Sequence, residues 1–455
     1  MKKITLILLI STSTLVAVAQ DDPGQIKLPN ILPPSPEAAA INRNGQLSVG
    51  MISGGTQASI PLYELKMKSV SIPVSLNYAS TGTKVDEIPS RVGMNWTLSP
   101  AGVVSRIVHG LPDDQTTRVL PPAGFPNYSA ALFPYLDNIS GAYSNTPGGY
   151  ETEPDEFRFT APGLSGKFIL NNNGVPVEIP YSNLKIQVIG GPWNGGGKFS
   201  EFIITNTNGV KYRFGGTGAY EYTVNIQNIK NLSGMSQVRT AFFLKKIELP
   251  DGGYINFTYS PISFASTSGK NHSLRDVMHS DYNCQECPQP QFTESVSSVV
   301  YNSVYLTGIS TSDYQYVNFF YDGRDDNIDD KKLKSISVSA GGFSRSFTLN
   351  YFTPDLLITM GYYGSIYDYS KRIFLKEVYY VVMNADNVTR DTLRYSLDYY
   401  NPDQLPPRLS NSQDHYGYYN GINNQTLLPP YPDLIYGSTY CTADRSSNIE
   451  AQKGM

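Results

Sequence analysis

The stretch Leu244-Lys-Lys-Ile-Glu-Leu-Pro-Asp-Gly-Gly-Tyr-Ile-Asn-Phe-Thr-Tyr259 has the pattern of a β-hairpin. Apolar residues alternate with polar ones on both sides of the Pro-Asp-Gly-Gly turn, at Ile247, Leu249, Ile255, Phe257 and Tyr259. A period of two on each side of a glycine-rich turn predicts two antiparallel strands. Leu244 is out of phase with Ile247, which predicts a β-bulge or a strand entry at that point.

This hairpin pattern occurs four times in the second half of the chain. A shift of 62 residues without a gap gives a second copy, at Leu306, Ile309, Asp313, Val317, Phe319 and Tyr321. A third copy surrounds a Gly-Gly turn, at Leu333, Ile336, Val338, Gly341, Gly342, Phe347, Leu349 and Tyr351. A fourth, looser copy has Leu375, Val378, Tyr380, Leu393, Tyr395, Leu397 and Tyr399. Because one hairpin cannot bury its apolar face alone, the repeats predict hairpins that lie side by side and share one core face.

The composition favours strands and turns over helices. The 455 residues include 34 tyrosines, 39 glycines and 31 prolines, and 40% of the chain is hydrophobic. We therefore predict an all-β fold, in which repeated antiparallel hairpins form large curved sheets as an open shell or a partial barrel. The net charge of −4 argues against nucleic acid as a partner, because phosphate binding needs a basic face.

The first 19 residues have the pattern of a Sec signal peptide. Lys2 and Lys3 precede an apolar run at 4–10, and small residues end the segment at Ala17-Val-Ala19. The apolar run is too short to span a bilayer, and no later run is long enough for a transmembrane segment. We expect cleavage after Ala19 and export to the extracellular space or the outer surface of a bacterial cell.

The chain divides by pattern into four parts. Residues 1–19 form the signal peptide, and residues 20–60, rich in Pro, Gly, Asn and Ala, are predicted to be an extended segment. We predict a first β domain at 61–240 and a region of hairpin repeats at 241–455. Within the first domain, Asn208-Gly209 lies between two alternating apolar runs and predicts a further hairpin with a type I′ turn.

Several spaced motifs resemble one family. Leu76-Asn-Tyr78, Gly93-Met-Asn-Trp96-Thr-Leu98 and Val103-Val-Ser-Arg106 follow one another near the start of the first domain. Further motifs lie at residues 153–159, 163–168, 208–215 and 414–421. In this order they resemble the N-terminal region of RHS/YD-repeat secreted proteins and, more distantly, that of insecticidal toxin-complex B-type subunits.

The resemblance implies a structural function. Relatives of this kind wrap strands into a large enclosing sheet, so the chain would be an exported, non-catalytic shell portion. Toxin or effector activity would then lie in a C-terminal region missing here, and the partners would be that region or a cargo. The repeat region 241–455 would be truncated at Met455, where a further hairpin like the one at Leu244 would begin. Its last strand would then expose an unpaired edge, so the isolated chain would aggregate or need a partner there.

Two other functions remain as hypotheses. One is a surface protein that binds a glycan or a protein through exposed tyrosines, and the weaker one is a secreted carbohydrate-active enzyme. A binding protein would expose a row of aromatic residues on one face, whereas a shell would turn them inward. A glycosidase would need two carboxylates about 5–9 Å apart in a cleft.

Cys284-Gln-Glu-Cys287 is the sharpest candidate site, and Cys441 is the only other cysteine. In an exported chain, a disulfide within this pair or with Cys441 is the leading interpretation. A zinc site that also uses His272 or His279 is an alternative, and a redox-active cysteine pair is another. We predict no cofactor and assign no catalytic or metal-binding residue.

Two acidic clusters have residue types that could carry chemistry. The loop from Asp322 to Asp330 could hold calcium, but its spacing is not that of an EF-hand, and we interpret it as a solvated turn. A second cluster could supply paired carboxylates for glycoside hydrolysis, and we interpret it as a surface loop. Its members are Glu151, Glu153, Asp155 and Glu156.

The remaining motif searches give little. None of the four histidines lies in a catalytic triad or a metalloprotease motif, and we expect His415, which lies among tyrosines, to be packed or hydrogen-bonded. No glycine-rich loop precedes a helix, so the chain has no nucleotide-binding motif. Tyr362-Tyr-Gly364 and Tyr418-Tyr419 could stack on sugar rings if they are exposed.

Overall fold

The structure is a computed structural model that describes residues 31–39, 41, 56–80, 82–99, 102–115, 118–124, 130–140, 152–193, 197–225, 237–275, 291–354, 371–383, 390–430, 441–448 and 451. Within these ranges the protein is almost entirely β-structure, so the predicted all-β fold is confirmed. No helix in these ranges is long and apolar enough to cross a membrane.

The strands of the first half are short, apart from β2 and β3. They are β1 (Ile31–Leu32), β2 (Thr56–Met67), β3 (Val70–Ser80), β4 (Trp96–Ser99), β5 (Val103–His109), β6 (Glu156–Ala161), β7 (Leu164–Leu170), β8 (Pro176–Glu178), β9 (Lys185–Ile189), β10 (Glu201–Thr205), β11 (Lys211–Gly215) and β12 (Tyr220–Asn225). A helix α1 (Leu132–Ser140) lies between β5 and β6. A short helical turn at 36–39 follows β1.

The strands of the second half are longer and follow one another as a meander. They are β13 (Val238–Glu248), β14 (Tyr254–Arg275), β15 (Gln291–Thr311), β16 (Tyr316–Gly323), β17 (Lys331–Ala340), β18 (Phe343–Phe352), β19 (Phe374–Met383) and β20 (Arg390–Ser396). A 3₁₀ turn at Pro402–Gln404 begins the last described stretch. That stretch has no named strand and lies against β14 through side-chain hydrogen bonds.

Most described strands belong to one large antiparallel sheet. Its first part runs β5-β6-β7-β8-β9-β10-β11-β13, and β13 pairs back with β5, so this part is ringed. From β13 onward the sheet continues as consecutive hairpins to β20. The sheet is therefore curved and partly ringed, and it is not a closed barrel. This agrees with the predicted open shell or partial barrel.

The hairpins predicted from the repeats are present in the expected register. Ile247 faces Ile255 in the first copy, and Ile309 faces Val317 in the second. In the third copy Ile336 faces Phe347, and the fourth copy is formed by β19 and β20. The side-chain period of two thus fixed the register of these pairs, because a slip of one residue would turn every apolar side chain outward.

The bulge predicted at Leu244 is confirmed, and it is repeated. Between β11 and β13, Arg213 faces Lys246 while Phe214 faces Leu244, which leaves Lys245 as an extra residue. The register shifts at the matching place in the pairs β14–β15, β16–β17 and β18–β19, whose extra residues are Thr307, Lys334 and Lys376. A bulge increases the local twist of a strand, so one bulge per hairpin helps to curve the sheet.

A tyrosine closes most of these hairpins at the bulge. The hydroxyl of Tyr259 donates to the carbonyl of Leu244 at 2.6 Å, and the hydroxyl of Tyr351 donates to Leu333 in the same way at 2.6 Å. In the fourth hairpin, Tyr399 donates to Leu375 at 2.7 Å. The recurrent leucine and tyrosine of the repeat are therefore joined by one hydrogen bond. The bulge exposes the leucine carbonyl, and the tyrosine satisfies it.

A smaller sheet, β2-β3-β4, covers the inner face of the large one. Leu65, Ile72 and Leu76 of the small sheet are fully buried and belong to the same apolar core as Phe257 and Phe319 of the hairpin repeats. The alternation of β3, predicted from its sequence, supplies this buried face. In the described part of the chain, the concave side is thus packed with side chains of the N-terminal hairpin.

The two predicted domain boundaries lie within strands, and one turn differs from its predicted type. The boundary expected at 60/61 falls inside β2, and the one at 240/241 falls inside β13, which pairs with strands of both regions. The turn at Asn208-Gly209 is not type I′, because Gly209 has a positive φ of 77° and Asn208 does not. Instead, the side chain of Asn206 accepts the N–H groups of Asn208 and Val210, which replaces the second left-handed residue.

Candidate functional site

A buried arginine organises the ringed part of the sheet. Arg106 on β5 is fully buried, and its Nε donates to Oδ2 of Asp155 at 2.8 Å. Its Nη2 donates to Oδ1 of Asp114 at 2.9 Å. The guanidinium also lies 5.0 Å from the ring centre of Phe199, within the range of a cation–π contact. The Arg106 guanidinium therefore contacts both charged loop residues and aromatic rings.

The carboxylates around Arg106 are closed to solvent. Asp155 accepts the N–H of Asp113 at 3.0 Å, and Asp113 accepts the N–H of Asp155 at 3.1 Å. Burial, followed by the charge of Asp155, raises the pKa of Asp113 to about 7. The interpretation of the 151–156 acids as a surface loop is therefore wrong for Asp155. Its oxygens bind backbone and guanidinium donors and face no cleft.

The other members of that acidic cluster lie apart from Arg106. Glu156 pairs with Lys167 at 3.2 Å and with Arg158. Glu153 is exposed and lies 4.0 Å from His109, and Glu151 lies outside the described residues. The three described acids thus have separate partners and do not form one site.

The loop from Asp322 to Asp330 forms a second buried charge cluster. Arg324 donates to both oxygens of Asp326, at 2.9 and 2.8 Å, and to Oδ2 of Asp330 at 2.9 Å. Arg91 donates to the remaining oxygen of Asp330 at 2.9 Å. All four residues are about 95% buried, so the expected solvated turn is wrong for this part of the loop. Calcium would have to displace two guanidinium groups to reach these carboxylates.

This cluster holds distant segments together. The backbone N–H of Arg91 donates to Glu37 in the N-terminal helical turn at 3.0 Å, and Arg324 also donates to the carbonyl of Pro89. Burial alone would raise the pKa of Asp330, but Arg91 and Arg324 outweigh it and lower that pKa. Loss of one partner would leave a buried charge uncompensated, which is strongly destabilising. The cluster is suited to joining chain segments.

The cysteine site cannot be placed, since Cys284, Cys287 and His279 lie outside the described residues. Cys441 is buried and carries a free thiol. His272 is already engaged, because its Nδ1 accepts the N–H of Leu427 at 3.0 Å and its Nε2 lies 2.9 Å from Glu294. In the part of the chain that the structure covers, no group of three or more His, Cys, Asp and Glu residues could hold a metal ion.

The side chain of His415 is exposed and forms no hydrogen bond to another described residue, so the expectation that it is packed or hydrogen-bonded is wrong. It sits on the turn that follows Asp414, whose carboxylate accepts the N–H groups of Tyr416 and Tyr418. This turn directs the His415 and Tyr416 side chains to solvent. Tyr418 and Tyr419 are half-buried, and 362–364 lies outside the described ranges.

Several aromatic residues of the described strands are buried in the core, but one outer face of the large sheet carries exposed rings. Phe257, Phe319 and Phe347 are at most 4% exposed. On the opposite face of β16, Tyr316 is 43% exposed and Phe320 is 51% exposed. Strand pairing places Tyr316 opposite Ser339 of β17, and Phe320 opposite Ser335.

These two rings form one wall of a shallow trough on the outer face of β16–β19. The half-buried Tyr379 and the exposed Val381 of β19 form the other wall. Between the walls, the paired residues of β17 and β18 have short side chains on this face, and the exposed bulge residue Lys334 lies next to them at Ser335. The short side chains form the floor and are Ser335, Ser337, Ser339, Ser344, Ser346 and Thr348. One cross-strand row runs from Phe320 through two hydroxyl residues to Tyr379.

Sequence reasoning missed both the buried arginines and the trough. Arg106 closes one of the quoted motifs, but nothing in a loop sequence distinguishes a buried Arg91 or Arg324 from a solvated one. The signal for the trough was present as two serine-rich alternations, at 335–339 and 344–348. It becomes meaningful only when the register places these serines between aromatic strands.

No protein-family model matches the chain, and no curated protein matches it. Among solved structures, the chain is similar to TcdB2-TccC3, with 11% identity, a TM-score of 0.39, and coverage of 82% of this chain and 17% of that one. It is similar to the Tc holotoxin pore of Photorhabdus luminescens, with 13% identity, a TM-score of 0.37, and coverage of 78% and 16%. It is also similar to the N-terminal domain of effector protein SpvB from Salmonella typhimurium strain LT2, with 11% identity, a TM-score of 0.28, and coverage of 75% and 99%.

The similarity to toxin-complex proteins is thus distant. The chain spans less than a fifth of the length of TcdB2-TccC3. At these values the likeness gives no argument about activity or partners, and the assignment to RHS/YD-repeat proteins stays an interpretation of the sequence motifs.

Proposed function

We propose that this chain is an exported, non-catalytic structural module, the N-terminal shell part of an RHS/YD-repeat-like surface or secreted protein that serves toxin or effector delivery. The observation that carries the proposal is the ladder of hairpins from β13 to β20. Each hairpin is joined to its neighbour through the same bulge. Such a ladder extends by adding hairpins, and each new hairpin supplies the pairing surface for the next.

The last described strand supports an incomplete assembly. β20 pairs with β19 and with no other described strand. Tyr395 is 43% exposed, whereas Phe347, at the matching position of the third hairpin, is 2% exposed. Leu393 is 51% exposed on the same strand. An open edge with apolar side chains favours the addition of another strand.

The charge clusters fit the same function. Arg106, Arg91 and Arg324 use their carboxylate partners to tie loops to the sheet, and these partners are closed to solvent. A module that must keep its shape while other segments assemble on it gains from such internal ties. The carboxylates of a glycosidase, in contrast, must reach a substrate in a cleft.

Amide hydrogen exchange over residues 390–397 tests the proposal. We would compare the isolated chain with the protein purified from its source cells in its native assembly. The expected result is exchange at least about tenfold slower in the native assembly, because an added strand protects amides that β20 now exposes. Equal exchange in both samples would contradict the proposal.

The proposal that the chain is non-catalytic is tested by a separate measurement. The isolated chain is incubated with a panel of polysaccharides, and the release of reducing sugar is compared with that of heat-denatured protein. No release above the denatured sample is expected. Turnover that depends on folded protein would contradict the structural proposal and favour the carbohydrate-active enzyme.

A further inference from the structure

We propose that the outer trough of β16–β19 binds a neutral polysaccharide, a function separate from the structural one. The trough has the two features that such a ligand requires. Its walls carry exposed aromatic rings, which can stack on the C–H face of a sugar ring. Its floor carries hydroxyl groups, which can exchange hydrogen bonds with sugar hydroxyls.

The dimensions fit a single extended chain. β16 and β19 are three strand spacings apart, which is about 14 Å at 4.8 Å per strand. Along β16, Tyr316 and Phe320 are four residues apart, which is about 13 Å. The two rings therefore mark out a length of several sugar units. Because strand pairing fixes their positions on a sheet, the rings are held in place before binding, which lowers the entropy cost.

The hydrogen-bonding groups of the floor are available. None of the hydroxyls of Ser335, Ser337, Ser339, Ser344, Ser346 and Thr348 forms a side-chain hydrogen bond to another described residue. Six outward hydroxyls on two neighbouring strands lie about 5 Å apart across the strands. A ligand rich in hydroxyl groups can form hydrogen bonds with such a row, and these replace the hydrogen bonds that it loses on leaving water.

The charges select a neutral ligand. Every side chain of the walls and the floor is uncharged, and Asn318 between the two rings adds a neutral amide. The nearest charged groups are already paired, Lys334 with Asp322 at 2.9 Å and Arg394 with Glu377 at 2.8 Å. An acidic polysaccharide or a nucleic acid would find no unpaired cation in the trough, although both depend on one.

The test is retention of the purified chain on insoluble neutral polysaccharides, namely cellulose, chitin and a β-1,3-glucan. Alginate, an acidic polysaccharide, is tested in parallel by affinity gel electrophoresis. We expect retention by at least one neutral polysaccharide and no retardation by alginate. The double variant Tyr316→Ala/Phe320→Ala should bind at least about tenfold more weakly, because both stacking surfaces are lost.

Two further variants separate the trough from general stickiness. Tyr416→Ala removes a tyrosine that is 75% exposed on a turn that is not part of the trough, and it should leave retention unchanged. Ser337→Lys places a long charged side chain on the floor and should weaken retention as much as the double variant does. Unchanged melting temperatures would show that these surface substitutions leave the fold intact.

Three results would overturn the proposal. They are no retention on any of the three neutral polysaccharides, equal retention of the double variant and the original chain, and binding to alginate alone. Sedimentation velocity tests whether a second copy of the chain occupies the same face instead. If the original chain dimerises, the double variant is monomeric and neither is retained, a second copy covers the trough and the polysaccharide proposal is wrong.

Discussion

The hydroxyl of the repeat tyrosine offers a direct measure of how the hairpins are held. Tyr259 and Tyr351 each donate to a leucine carbonyl at 2.6 Å, and burial raises the pKa of both tyrosines. Replacing either with Phe keeps the ring and removes this one hydrogen bond. We expect each substitution to lower the free energy of unfolding by about 1–2 kcal/mol, because the carbonyl loses its partner in a poorly hydrated place.

Two other tyrosines of the repeat provide a control with a smaller expected loss of stability and a case with a larger one. Tyr321 occupies the same repeat position, but its hydroxyl forms no hydrogen bond to a described residue, so Tyr321→Phe should cost less than about 0.5 kcal/mol. Tyr399 donates to Leu375 and also accepts the indole N–H of Trp96 at 2.9 Å. Tyr399→Phe breaks both bonds and should cost roughly twice as much as Tyr351→Phe.

The assay is guanidinium chloride unfolding followed by far-UV circular dichroism, with the four variants compared at a common slope. The expected order of destabilisation is Tyr399→Phe, then Tyr259→Phe and Tyr351→Phe, then Tyr321→Phe. If Tyr321→Phe is as destabilising as the others, the hydroxyl contacts do not stabilise the hairpins and the reasoning fails.

Three more predictions follow from the same structure. Phe257→Ala and Phe319→Ala should each destabilise by about 3–5 kcal/mol in chemical unfolding, since both side chains are buried in one core, and a near-neutral effect at either site would disprove their equivalence. The raised pKa of Asp113 means that the folded state keeps this proton longer than the unfolded state does, so stability falls as pH rises from about 4 to about 7. Asp113→Asn should weaken that fall in melting temperature, and an unchanged pH profile would contradict the assignment. Cys284 and Cys287 should resist thiol labelling in folded, exported protein without reductant, whereas full labelling would exclude their disulfide and zinc release would favour the metal site.

The local pattern of the chain was enough to predict the hairpins. Alternation around Gly252-Gly253 and Gly341-Gly342 gave both the strands and their register, because the two strands of a hairpin are neighbours in sequence and their turn fixes the pairing. The phase break at Leu244 likewise predicted a bulge that recurs at Thr307, Lys334 and Lys376. An all-β fold of repeated hairpins therefore followed from the sequence by itself.

Only the tertiary structure decided which polar residues are buried. Arg91 and Asp330 are 239 residues apart, and the environment of each is created by segments that carry no sign of the other. The same holds for Tyr395, which has the pattern of a core residue but is exposed because no described strand covers β20. The alternation of apolar and polar residues along a strand shows which of its faces is apolar. What covers that face, and which loops close over a charge, depends on long-range packing that local sequence does not encode.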